Sequence, residues 1–131
     1  MHQILQPEGW PRPGGYAHGV AATGRMVFVA GQIGWTPAGR FEARDLPGQV
    51  GQALRNVLAV LREAGAAPEH ITRMTWYVVD RRDYLARTKD IGAAYRDVLG
   101  RNFPAMSVVE VSGLLEPAAL VEIEVTAVVP A

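Results

Sequence analysis

An α+β fold, one sheet with both helices on one face, is predicted by the order of periodic segments in this chain. Two stretches carry apolar residues at helical spacing, and several short β-branched and aromatic runs lie before, between and after them, giving the order β-β-α-β-α-β-β. The chain has 131 residues and no repeat, low-complexity stretch or linker, so residues 1–131 are read as a single domain.

Residues 1–15 contain Pro7, Gly9, Pro11, Pro13, Gly14 and Gly15 and are predicted to form a loop or arm. Tyr16 to Ala22 and Met26 to Ala30 read as two antiparallel strands joined by a hairpin turn at Thr23-Gly24-Arg25. Gly31-Gln32-Ile33-Gly34-Trp35-Thr36-Pro37-Ala38-Gly39 breaks the pattern and is expected to be a loop after a strand, a common location for site residues. Asp45 is a candidate N-cap, Pro47 falls in the first turn, and Gly65 follows the last periodic residue. Between them Val50, Ala53, Leu54, Val57, Leu58 and Leu61 share one helical face, while Gln49, Gln52, Arg55, Arg62 and Glu63 take the other. Ile71 to Val79 reads as a strand. Asp83 is the candidate cap of a second helix carrying Tyr84, Leu85, Thr88, Ile91, Tyr95 and Val98, closed by Gly100. Ser107 to Val111 and Leu120 to Val128 supply the last strands.

Thirteen basic and thirteen acidic side chains give a formal net charge of zero, which favours neither a nucleic-acid backbone nor an anionic membrane surface. The aromatics are not interleaved with Lys/Arg clusters, so a ribonuclease finds little support. No apolar stretch is long enough to span a bilayer. The amino terminus lacks the basic start and apolar run of a signal peptide, and cysteine is absent; a soluble cytoplasmic protein is expected. With both helices on one face of the sheet, the other face would be exposed, and 49% hydrophobic content with no net charge makes a second copy its simplest cover.

Several short motifs occur in a fixed order: Tyr16, Gly31-Gln32, Asn56, Ala64-Gly65, Pro104-Ala105 and Glu122-Ile123-Glu124. In this the chain resembles the RidA/YjgF family, the reactive-intermediate deaminases also called the endoribonuclease L-PSP family, from about Tyr16 to Val128. The resemblance implies a chorismate-mutase-like fold with a six-stranded or similar mixed sheet, a homotrimer, and a small-molecule ligand in clefts between subunits. It also implies hydrolysis of enamines or imines to the keto compound and ammonia, with no metal or organic cofactor. In that family an arginine after Pro-Ala binds the substrate carboxylate, a glutamate matching Glu122 positions water, and a tyrosine matching Tyr16 and the backbone at Gly31 line the pocket. Here the arginine position is Met106, Ala30 stands where many members have serine, and Gly92 where many have asparagine. Methionine matches the length of arginine but not its charge or its donors. Arg12, Arg73 and Arg101 are the candidates to replace the missing cation.

Glu122 and Glu124 are two residues apart and share one strand face, where either could poise a water or simply be solvated or paired with Arg73 or Arg101. His18 shares the face of Tyr16, as a donor or base near a cleft or as an ordinary strand histidine. Trp35 is a candidate apolar wall together with Met106, or a plug over the end of the sheet. His2 and His70 have no partner at metal-ligand spacing, and Ser107 lacks a nucleophile-elbow setting. Two functions stand: an enamine or imine hydrolase of altered specificity, and a non-catalytic binding protein that uses the same cleft.

Overall fold

The computed structural model describes residues 2–131. Its core sheet has four strands: β3 (Arg25–Ile33), β4 (Ile71–Val78), β5 (Ala105–Glu110) and β6 (Val121–Val129), in the order β3-β6-β4-β5. β6 runs antiparallel to both β3 and β4, whereas β4 and β5 are parallel and therefore need a helical crossover. That crossover is α2 (Arg81–Ala86) followed by α3 (Thr88–Leu99). With α1 (Leu46–Glu63) it covers one side of the sheet, so the α+β class holds.

α1 matches its expected bounds. The Asp45 side chain accepts a hydrogen bond from Gly48 N at 3.1 Å, and the apolar stripe Val50, Ala53, Leu54, Val57 and Leu61 is completely buried. It packs on the inward residues of β6, Val121, Ile123, Val125 and Ala127, and on Met74 and Trp76 of β4. Strand alternation sends Glu122, Glu124 and Thr126 to the opposite, helix-free side.

The amino-terminal half departs from the expected pattern in three places. The Pro/Gly-rich arm contains a short strand, β1 (Gln3–Leu5), which pairs antiparallel with β2 (Gly19–Ala21) in a separate two-stranded sheet. The predicted hairpin is therefore absent: β2 pairs with β1, while β3 pairs with β6. Gly24, at φ +150°, passes so close to β6 that a Cβ would lie 2.1 Å from the Val129 carbonyl oxygen, so it serves a close approach rather than a hairpin. Gly31-Gln32-Ile33 is not loop but the end of β3, reached through a slip in register between Val29 and Gln32.

The second helical region also differs. Asp80, not Asp83, caps it, accepting from Arg82 N and Asp83 N at 2.9 and 3.1 Å. The helix is interrupted at Arg87, whose Nε donates to Asp83 Oδ1 at 2.7 Å.

Candidate functional site

The expected site residues fall into three neighbourhoods. The first lies on the open side of the sheet. The bulge in β3 brings the Gly31 backbone against Glu122 of β6, so closely that a Cβ at position 31 would stand 2.4 Å from Glu122 Oε2. Only glycine leaves that carboxylate its place. Tyr77 of β4 is the cross-strand partner of Glu122, and its hydroxyl donates to Glu124 Oε1 at 2.5 Å. That bond, aided by burial and by the charges of both glutamates, raises the Tyr77 phenol above its ordinary pKa. The two carboxylates therefore differ in role: Glu124 is engaged with Tyr77, whereas among the described residues Glu122 holds no hydrogen bond or ion pair. Neither glutamate pairs with Arg73 or Arg101.

The second neighbourhood is a cleft of about 710 Å³ on the helix side, beyond the edge strand β5. Met106 and Val108 of β5 form its sheet wall, α3 contributes Gly92 and Tyr95, and Tyr16 closes it from the amino-terminal segment. Trp76 lines it as well; its side chain is buried and its indole N–H has no hydrogen-bond partner among the described residues. The segment beyond α3 is fixed by Tyr95, which stacks on Phe103 at 5.6 Å and donates its hydroxyl to the Asn102 carbonyl.

Burial drives the Tyr95 pKa well above the ordinary tyrosine value. Because the folded state holds this proton after the unfolded chain releases it near pH 10, stability is lost as pH rises beyond that value. The expected slope from Tyr95 is up to about 1.4 kcal/mol per pH unit. Denaturant titrations between pH 9 and 11, precise to about 0.3 kcal/mol, should show a shallower decline for Tyr95→Phe than for wild type.

The third neighbourhood is the turn after β3. Asn56 of α1 donates from Nδ2 to the carbonyls of Ile33 and Trp35 at 3.0 and 2.8 Å, which fixes that turn on the helix. Trp35 packs on Phe41, with ring centroids 5.9 Å apart, and does not line the cleft that holds Met106. The expected Met106–Trp35 wall is therefore not formed within one chain. His18 likewise lies outside the cleft lining, edge-on to Tyr16 and Trp10 at centroid distances of 5.7 and 5.0 Å.

Strand register separates the first two neighbourhoods. Met106 pairs with Met74, which pairs with Val125, and all three point toward the helices. Glu122 pairs with Tyr77, on the other side. Within one chain the sheet stands between Glu122 and Met106.

One organising residue, Gln49, is expected on the polar face of α1 and is instead buried. Gln49, on the buried face of α1, donates to the carbonyls of Ala43 and Ala118 and accepts from Leu120 N at 2.8 Å, tying the segment before β6 to the helix. Gly34 lies against it, where a Cβ would come within 2.6 Å. Among the described residues no cluster of three or more His, Asp or Glu side chains could hold a metal ion, and no helix is long and apolar enough to cross a membrane.

Comparison with known proteins matches residues 11–129 to the family model described as Endoribonuclease L-PSP. A RutC family protein of Pyrococcus horikoshii is 34% identical over 129 residues, covering 97% of this chain and 98% of that protein. A 2-iminobutanoate/2-iminopropanoate deaminase of Salmonella typhimurium is 35% identical over 129 residues, covering 98% of this chain and 97% of its own length. The crystal structure of a Rid family protein of unknown function from Yersinia pestis superposes with a TM-score of 0.85 at 34% identity, covering 98% of each chain. The ordered motifs, the fold and these matches lead to one assignment: the chain belongs to the endoribonuclease L-PSP family, also known as RidA/YjgF.

Proposed function

We propose that the protein hydrolyses enamine or imine substrates at a cleft completed by a second copy of the chain, with Glu122 positioning and activating the water. The observation that carries this reading is the contact between Gly31 and Glu122, which keeps a carboxylate free of other partners beside exposed backbone. A bound water placed there can give a proton to Glu122 as its oxygen bonds to the C=N carbon. Return of that proton to the nitrogen gives a carbinolamine, and transfer of its hydroxyl proton to the nitrogen through Glu122 lets the C–N bond break, leaving a keto compound and ammonia. The similarity to the Salmonella deaminase supports this chemistry.

The separation of Glu122 and Met106 by the sheet supports the second copy, since one site that uses both needs another chain to supply one of them. The open face is also apolar enough to favour association: Phe28 is 70% exposed and Met26 58% exposed. A homotrimer, with the small-molecule ligand between subunits, is the arrangement the family resemblance supports. Non-catalytic binding is a second reading, favoured by Met106, which leaves that wall position without a cation.

The test is release of ammonia and keto product from freshly generated imines, carboxylated and neutral, by wild type, Glu122→Gln and Met106→Arg. Turnover by wild type that Glu122→Gln removes supports the hydrolase. If wild type is inert on every imine while Met106→Arg gains activity on imino acids, the binding reading stands instead.

A further inference from the structure

The loss of arginine at position 106 does not leave the cleft without positive charge. Arg96 and Arg101 both line it, and no Asp or Glu does. Among the described residues the only ion pair is Arg87 with Asp83, so neither cleft arginine is neutralised by a carboxylate of its own chain. The other two arginines that the sequence offered lie elsewhere. Arg12 lines an adjoining depression beside β1, which shares Tyr16, Arg101 and Phe103 with the cleft, and Arg73 is on the open side of the sheet.

Arg96 is placed by the glycine one turn before it in α3. A Cβ at Gly92 would stand 3.1 Å from Arg96 Nη1 and 3.9 Å from its Cζ, so the guanidinium lies over the bare glycine and beside the cleft. Glycine is a poor helix former, and its position inside α3 has a purpose if it admits this side chain. The cleft is also lined by the apolar and aromatic residues Ile91, Tyr95, Phe103, Met106 and Val108. Two arginines in a cleft lined in this way suit a ligand with an anionic end and a bulky apolar body.

We infer that the anion-binding role has moved from position 106 to α3: Arg96, admitted by Gly92 and joined by Arg101, holds the carboxylate of an imino acid whose large apolar or aromatic side chain lies against Met106. The imine part of this assignment rests on the hydrolase reading; the carboxylate site does not.

Calorimetric titration with hydrocinnamate and its neutral amide tests the site directly, using the assembled full-length protein. Wild type should bind the carboxylate more tightly than the amide. Arg96→Gln should weaken the carboxylate by about tenfold or more and leave the amide unchanged, with partial recovery in Arg96→Lys. Gly92→Asn, which places a side chain in the space taken by the guanidinium, should reproduce the loss without removing the arginine. Absence of carboxylate binding by wild type, or equal binding by wild type, Arg96→Gln and Gly92→Asn, overturns the inference. Turnover is read separately, on the imines formed in situ from phenylalanine and alanine by an amino-acid oxidase. Preference for the phenylalanine imine, with a raised KM in Arg96→Gln, supports the substrate assignment. If no imine is turned over but carboxylate binding still depends on Arg96, the hydrolase reading fails and the carboxylate site stands.

Discussion

Replacing Glu122 with glutamine is expected to lower kcat/KM for imine hydrolysis by roughly 10²–10⁴-fold, the range general acid–base catalysis supplies, while leaving the folded structure intact. The amide is nearly isosteric and cannot take a proton from water at neutral pH. Among the described residues the Glu122 carboxylate makes no hydrogen bond or ion pair, so its conversion to an amide breaks nothing in the fold. Glu124→Gln is the contrasting control. It loosens the hydrogen bond from Tyr77 but leaves Glu122 beside Gly31, and most of the activity should remain. Parallel kinetics and thermal melts separate the two cases. Equal loss of rate in both variants would mean that the glutamate pair acts only through the local packing of the sheet.

The largest effect on stability is expected at Gln49. Leucine fits the apolar surroundings of α1 but leaves three backbone groups without their partner: the carbonyls of Ala43 and Ala118 and the N–H of Leu120. Unsatisfied buried groups cost about 1–3 kcal/mol each, so Gln49→Leu should lose about 3–5 kcal/mol even where one of them reaches water. Against a total stability of about 5–15 kcal/mol for an ordinary domain, that is a large fraction. The denaturant midpoint should fall with little change in slope. An unchanged midpoint would show that the segment entering β6 finds other partners at no cost.

The sequence reading succeeded where a single local period governs the outcome. α1 is legible because a cap, a proline in the first turn and a continuous apolar stripe agree, and β6 because its alternation separates Val121, Ile123 and Val125 from Glu122 and Glu124. It failed where pairing partners lie far apart in the chain. Nothing local to Gly19-Val20-Ala21 says that it pairs with Gln3-Ile4-Leu5 rather than with the strand that follows Gly24. The bulge that extends β3 through Gly31 is visible only once Val125 and Ile123 are known to be its partners.

The same limit applied to the site. Glu122, Gly31, Tyr16 and Met106 could be named from motifs, and Glu122 with Gly31 proves to be one contact. That the sheet separates Glu122 from Met106 depends on the register of three strands. The placement of Arg96 beside the cleft has only a weak signal in the sequence, a glycine and an arginine one helical turn apart inside an amphipathic helix.

The proposed site has two halves, a carboxylate on the open sheet face and a cleft beyond the edge strand, and within one chain the sheet stands between them. Mixed assemblies test this most directly. Glu122→Gln damages one half, and Met106→Asp, by placing a carboxylate in the cleft wall, damages the other. Each variant alone should be inactive on imines. If the halves come from different copies, co-refolding equal amounts should restore activity to about a quarter of wild type, because a cleft is intact only when both of its contributors carry undamaged halves. Mixtures that stay as inactive as the separate variants, with subunit exchange verified, would contradict a shared site.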